Sequence, residues 1–157
     1  MNSFFEWLQM TPVAVSVSEV WFPWVESVHV IALAMVVGTI FIVDTRLIGL
    51  TSRHLRFTYV SERMLPWTWG AFAVAATTGS LLFMSNAQGY VSNKPFLIKM
   101  GLLLMAGLNM FYFQFVTYRS VASWDAGRPI PAARFAGTLS LTIWILIIGF
   151  GRWIGFV

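Results

Sequence analysis

The run from Phe22 to Val43, FPWVESVHVIALAMVVGTIFIV, limits what this chain can become more than any other stretch. It is almost wholly apolar. At ~1.5 Å per residue, a helix of this length crosses a ~30 Å hydrocarbon layer. Glu26 and His29 are the two residues least suited to lipid, and a spacing of three puts them on one helical face. Polar groups at that depth have to face protein, a cofactor or water. The run closes on Asp44 and Arg46, where the chain meets water again and a helix-end salt bridge between the two is expected.

The composition agrees. Of 157 residues, 58% are hydrophobic and 10% charged, against about 25% charged in ordinary soluble domains. Mean hydropathy is +0.75. These values predict an integral membrane protein, with residues 1–157 as a single transmembrane domain in contact with the lipid bilayer. The isoelectric point near 10 reflects loop arginines and does not imply nucleic acid as a partner. The absence of cysteine excludes disulfides, thiolate metal sites and cysteine nucleophiles. The first basic residue is Arg46, so the charged start of a cleavable signal is not expected. No phosphate loop, catalytic triad or zinc spacing occurs.

In chain order, Ser3 and Glu6 fit a capping box for a short amphipathic helix over about 3–10, too short to span and expected to lie in the interface. Thr11 and Pro12 end it. Val13, Val15 and Val17 alternate with small residues and read as an extended link, after which Ser18 caps the first span. Four spans follow, over about 20–43, 65–84, 96–118 and 135–156. The polar connection 44–64 separates the first two, and a turn from Asn86 to Lys94 separates the next. The second span carries Ala71, Ala75 and Gly79, a small-residue ridge that admits a neighbouring helix. Met100, Met105 and Met110, five apart, turn by about 140° per step and cannot form one stripe. They read as packing filler rather than copper ligands.

Arginines 46, 53, 56, 63, 119, 128 and 134 lie in two of the connections, whereas the other side holds Lys94, Lys99 and Arg152. The positive-inside rule therefore puts both arginine-rich loops in the cytoplasm and both termini in the periplasm of a bacterial inner membrane. The expected fold is all-α, an integral membrane four-helix up-and-down bundle with a short N-terminal interfacial helix.

This topology sorts the polar residues. Glu26, His29, Lys99 and Arg152 belong to the outer level, and Met100 follows Lys99. His54 and Asp44 belong to the inner level. Asp44 is about 27 Å along the helix from Glu26, so the two histidines, His29 and His54, are not expected to meet. His29 is the leading ligand candidate, because a neutral imidazole oriented through one nitrogen offers the other to a metal. Its structural alternative is a hydrogen bond to a neighbouring helix. Glu26 is expected either to orient His29 or to pair with Lys99 or Arg152, and Arg152 alternatively snorkels to the interface.

Several segments resemble the DUF6644 family of bacterial membrane proteins, whose function is unknown. They are Pro23–Glu26–His29 followed by VVGTIFIVDTRLIGL, ERMLPWTWGAFAVAATTGSLLF, NKPFLIKMGLLLMAGLN, the Arg134-to-Ser140 segment and GRWI. A looser likeness is to the copper-resistance D-type proteins and the membrane protoporphyrinogen oxidase, a small b-haem protein. It rests on His29, on Arg63 and Met64 at the start of the second span, and on Lys99. It implies haem b at His29. Such relatives often carry a histidine where this chain has Gln114, which removes an inner ligand.

The leading expectation is therefore a b-type haem or related tetrapyrrole near the outer face, serving electron transfer or tetrapyrrole chemistry. His29 is the metal ligand, Lys99 or Met100 a second axial contact, and Glu26 and Arg152 the polar surround. The alternatives are a small transporter or channel lined by Glu26, His29 and Lys99, an accessory subunit of a larger membrane complex, or a homo-oligomer.

Overall fold

The computed structural model describes residues 2–156. The side chains of Asn2 and Ser3 lie outside the described set, and the expected Ser3–Glu6 capping box with them. The described residues form seven α-helices and no strand: α1 (Asn2–Gln9), α2 (Pro12–Ser16), α3 (Phe22–Ile48), α4 (Phe57–Ser85), α5 (Ala87–Ser92), α6 (Lys94–Tyr112) and α7 (Pro131–Trp153).

Thr11 stops α1 and starts α2. Its amide bonds to the Leu8 carbonyl at 3.3 Å, while its hydroxyl oxygen accepts from the Ala14 amide at 3.3 Å and Pro12 opens the first turn. The extended link expected over residues 13–17 is therefore wrong, because this cap and proline outweigh the strand preference of alternating valines. Ser18 does not cap a helix. It sits inside a π-helical segment, Val17–Trp21, and its hydroxyl donates to the Val15 carbonyl at 3.0 Å. Pro23 has no amide to donate back to Glu19, so the widened turn sits where the regular ladder would break. Helix is thus continuous from Pro12 to Ile48. It ends at Gly49, whose φ of 84° lets the next amides bond back to Arg46 and Thr45.

α4 and α7 are longer than the expected spans, and α6 becomes so together with the π and 3-10 segments that follow it. α4 begins at Phe57, so the polar connection shrinks to residues 49–56. The turn after Asn86 holds α5, and Asn93 caps α6 by accepting from the Phe96 amide at 3.0 Å. α6 runs on through a π-helical segment, Phe113–Thr117, and a 3-10 segment, Tyr118–Ser123.

α3 packs most extensively on α4 and also on α7, and α7 carries α6 on its other side. One core draws on all four: Val36, Ala71, Ile143, Trp144 and Ile147, with Leu102, Leu103 and Ala106 against them. The expected small-residue ridge faces α3, with Ala71 and Ala75 buried. Among the described residues, three helical stretches are long and apolar enough to cross a membrane, Pro12–Ile48, Lys94–Ser123 and Pro131–Phe156. α4 is as long, but Thr68, Gly70, Thr77, Thr78, Gly79 and Ser80 dilute its apolar face. The three methionines of α6 are exposed at 39%, 50% and 39%. They are surface residues rather than the packing filler expected.

The arginine-rich loops meet at one end. Arg46 is fully buried there. Its Nε donates to the Leu55 carbonyl at 2.9 Å and its Nη2 to the Asp125 carbonyl at 3.0 Å. The expected Asp44–Arg46 bridge is not what these residues form: two positions apart on a helix, they point to different faces. Asp44 turns to Ser140 on α7 instead. Asp125 caps α4 from the far loop, its Oδ1 accepting from the Thr58 amide at 2.8 Å and its Oδ2 from the Thr58 hydroxyl at 2.9 Å. Leu47, Phe57, Trp124 and Ala133 close a second core beneath. At the opposite end α1 rests on α4 and α5, with Phe5 edge-on to Phe83 at 6.4 Å.

Candidate functional site

His29 belongs to that opposite end, half-buried between α3 and α4. Its Nδ1 lies 2.9 Å from the Ala75 carbonyl oxygen and 3.0 Å from Thr78 Oγ1. A carbonyl only accepts, so Nδ1 carries the hydrogen. The Thr78 hydroxyl sends its own hydrogen to the Val74 carbonyl at 2.7 Å, which leaves its oxygen to accept from the ring as well. In the neutral imidazole this assigns the lone pair to Nε2.

The ring reaches the α4 backbone because residue 79 is glycine. A Cβ there would stand 2.9 Å from His29 Cε1. The ridge legible in the sequence therefore has two uses: Ala71 and Ala75 admit the helix, and Gly79 admits the imidazole. The structural alternative expected for His29, a hydrogen bond to a neighbouring helix, is what the ring forms with α4.

Lys99 is half-buried on α6. Its Nζ lies 3.6 Å from where a Cβ on Gly151 would stand, so the ammonium rests on bare α7 backbone. Lys99 and Glu26 are the two charged groups within electrostatic reach of the His29 ring. Glu26 itself is exposed and also acts on Tyr90 of α5. Burial first, and Glu26 second, push the Tyr90 phenol above its ordinary value of 10.0. Glu26 does not reach Lys99 or Arg152 to form the expected pair. The Arg152 guanidinium lies over the Phe156 ring, 5.2 Å from its centroid, on the exposed end of α7. Met100, next to Lys99, faces outward.

The structure thus brings His29, Lys99 and Glu26 into one neighbourhood and leaves Met100 and Arg152 at its margin. Sequence reasoning missed Thr78, Gly79, Tyr90 and Gly151 as parts of this neighbourhood. The ridge spacing signalled Gly79, and Gly151 stands four residues before Gly155 as a second pair of small residues; Thr78 and Tyr90 carried no such signal. His54 is exposed in the 49–56 loop at the other end, and Gln114 is exposed on the π segment. Among the described residues, no group of three or more His, Cys, Asp or Glu side chains is placed to hold a metal ion.

The centre of the molecule is different. Thr68 donates to Thr39 at 2.8 Å across α3 and α4, and Asn109 donates to the Ala136 carbonyl at 3.0 Å across α6 and α7. These groups tie helices together.

A family model described as "Family of unknown function (DUF6644)" matches residues 4–157. No curated protein and no solved structure matches the chain.

Proposed function

We propose the following for a chain that belongs to the DUF6644 family, a family of unknown function. It is a multi-pass protein of the bacterial inner membrane, a four-helix up-and-down bundle formed by α3, α4, α6 and α7. The arginine end lies in the cytoplasm, and α1 lies in the outer interface. The seven arginines and the apolar helices support this placement. Near its outer face it binds a b-type haem or related tetrapyrrole and serves electron transfer or tetrapyrrole chemistry.

A single observation carries the tetrapyrrole reading: His29 Nδ1 is occupied by the Ala75 carbonyl at 2.9 Å. An axial histidine needs this arrangement, with one nitrogen fixed by a backbone acceptor and the other left for iron. The residues fit one axial ligand, His29. The amine of Lys99 rests on Gly151 and Met100 faces outward, so His29 is the residue that would hold the group. Bound haem would supply one-electron chemistry. The chain itself orients the imidazole, presents Glu26 and Arg152 at the rim, and packs the rings of Phe83, Tyr90 and Phe96 together at the same end, with centroids 5.2–6.3 Å apart. A reduced-minus-oxidised spectrum of the detergent-purified protein, expressed with ample haem, tests this. Bands of a b-type haem are expected, and a flat spectrum contradicts the reading.

A transporter or channel is less well supported, because the mid-depth polar groups Thr39, Thr68 and Asn109 are spent on helix contacts.

A further inference from the structure

We infer that the Lys99 ammonium, seated on the bare backbone of Gly151 beside His29, is an anion-binding site that takes a carboxylate or phosphate group arriving from the outer interface. The inference deepens the tetrapyrrole reading, whose ligand carries carboxylates, yet it rests on separate observations. Lys99 is the sixth residue of α6, inside a stretch apolar enough to span a membrane. A cation at that depth is costly unless it finds a counter-charge. Among the described residues none is in place. Glu26 acts on His29 and Tyr90, whereas Lys99 forms no salt bridge within 4.0 Å.

The side chain does not take the inexpensive alternative either. A lysine near a helix end ordinarily snorkels along the surface to water. Here the Cδ, Cε and Nζ atoms all lie 3.6–3.8 Å from the Gly151 Cβ position, folded inward against α7. Glycine at 151 leaves that floor open. The result is an uncompensated, half-buried positive charge with a donor nitrogen, within electrostatic reach of the His29 imidazole. Such a group recognises an anion by charge and by hydrogen bonding together.

Two sources supply that chemistry: the propionates of a tetrapyrrole and the phosphate of an anionic lipid headgroup. Thermal unfolding of the purified full-length chain in neutral detergent separates them. One arm adds phosphatidylglycerol, with phosphatidylcholine as control. The other adds protoporphyrin IX, with its dimethyl ester as control. At a 100-fold excess over the dissociation constant, the anionic member of at least one pair raises the midpoint by about 5 °C or more over its uncharged or zwitterionic control. Lys99→Met abolishes that difference, while Lys94→Met, which removes an exposed charge on the same side, keeps it. A response to phosphatidylglycerol alone assigns the site to lipid and leaves the inference standing, even if the haem spectrum is flat. A response to protoporphyrin alone assigns it to the ligand carboxylates. The inference is overturned if neither anion shifts the wild-type midpoint, or if Lys99→Met responds as wild type does. The wild-type arms need no variant to fold.

Discussion

The His29 imidazole rests on the bare backbone of Gly79, so close that a Cβ on that residue would stand 2.9 Å from the ring carbon Cε1. This contact lets Nδ1 reach the Ala75 carbonyl at 2.9 Å. Gly79→Ala therefore has to push the ring aside while leaving histidine in the sequence. The expected outcome is loss of bound tetrapyrrole with a fall in stability of about 1 kcal/mol, the size of one interhelical hydrogen bond in a membrane. Absorbance per protein, measured beside the thermal midpoint, checks it. Full pigment in Gly79→Ala would separate the clamp from the ligand.

At the other end, Arg46→Met strands the carbonyls of Leu55 and Asp125, which accept from the buried guanidinium at 2.9 and 3.0 Å. Hydrogen bonds from a charged, buried donor are worth the upper part of the usual range, so a loss of about 3 kcal/mol is expected. Arg56→Met, at an exposed position, stays within about 0.5 kcal/mol of wild type. Denaturant titration in mixed micelles compares the two.

The difference between these arginines shows where the sequence stops being legible. Both read as topology signals, because positive charge at a span end is all that a one-dimensional count reveals. Arg46 is instead a tie between two loops, and its partner Asp125 lies 79 residues away. No local pattern announces a cap supplied from that distance. What is local was readable: the length of the apolar runs, the Ala71–Ala75–Gly79 ridge, and the shared face of Glu26 and His29. The shared face did not mean a shared role, since Glu26 is exposed and His29 turns into α4. Residues 13–17 misled because strand-like alternation and a Thr-Pro helix start compete, and only the fold decides between them. The α6 methionines misled for a different reason. Nearly every position of α6 is apolar, so apolarity there does not predict burial.

Asp125 gives a graded test of the loop interlock. Asp125→Ala removes both acceptors of Thr58, one from its amide at 2.8 Å and one from its hydroxyl at 2.9 Å. A loss of about 1–2 kcal/mol is expected for the lost cap of α4. Asp125→Asn keeps one carbonyl acceptor for the amide and loses less. Limited proteolysis in the 49–56 and 124–130 loops should speed up in the same order. Equal cleavage of all three proteins would contradict the interlock.

The pH dependence on the α5 side follows from Tyr90. Burial, and then Glu26, raise its phenol above 10.0, so the folded state holds the proton where the unfolded chain releases it. Stability from this source is complete below pH 10 and is lost as pH rises from there through the folded value. Tyr90→Phe cannot ionise and therefore loses less stability than wild type between pH 9 and 11. Thermal midpoints across that range check the sign, and parallel curves for the two proteins would contradict it.

The measurement closest to the central claim is the Soret band of the detergent-purified protein, compared between wild type and His29→Ala after expression with ample haem. The account predicts a band in wild type that His29→Ala abolishes while the chain still folds, because the interhelical bond it also removes is worth only about 1 kcal/mol. A wild-type protein without the band, or a band of equal height in folded His29→Ala, would leave His29 as a helix clamp and nothing more.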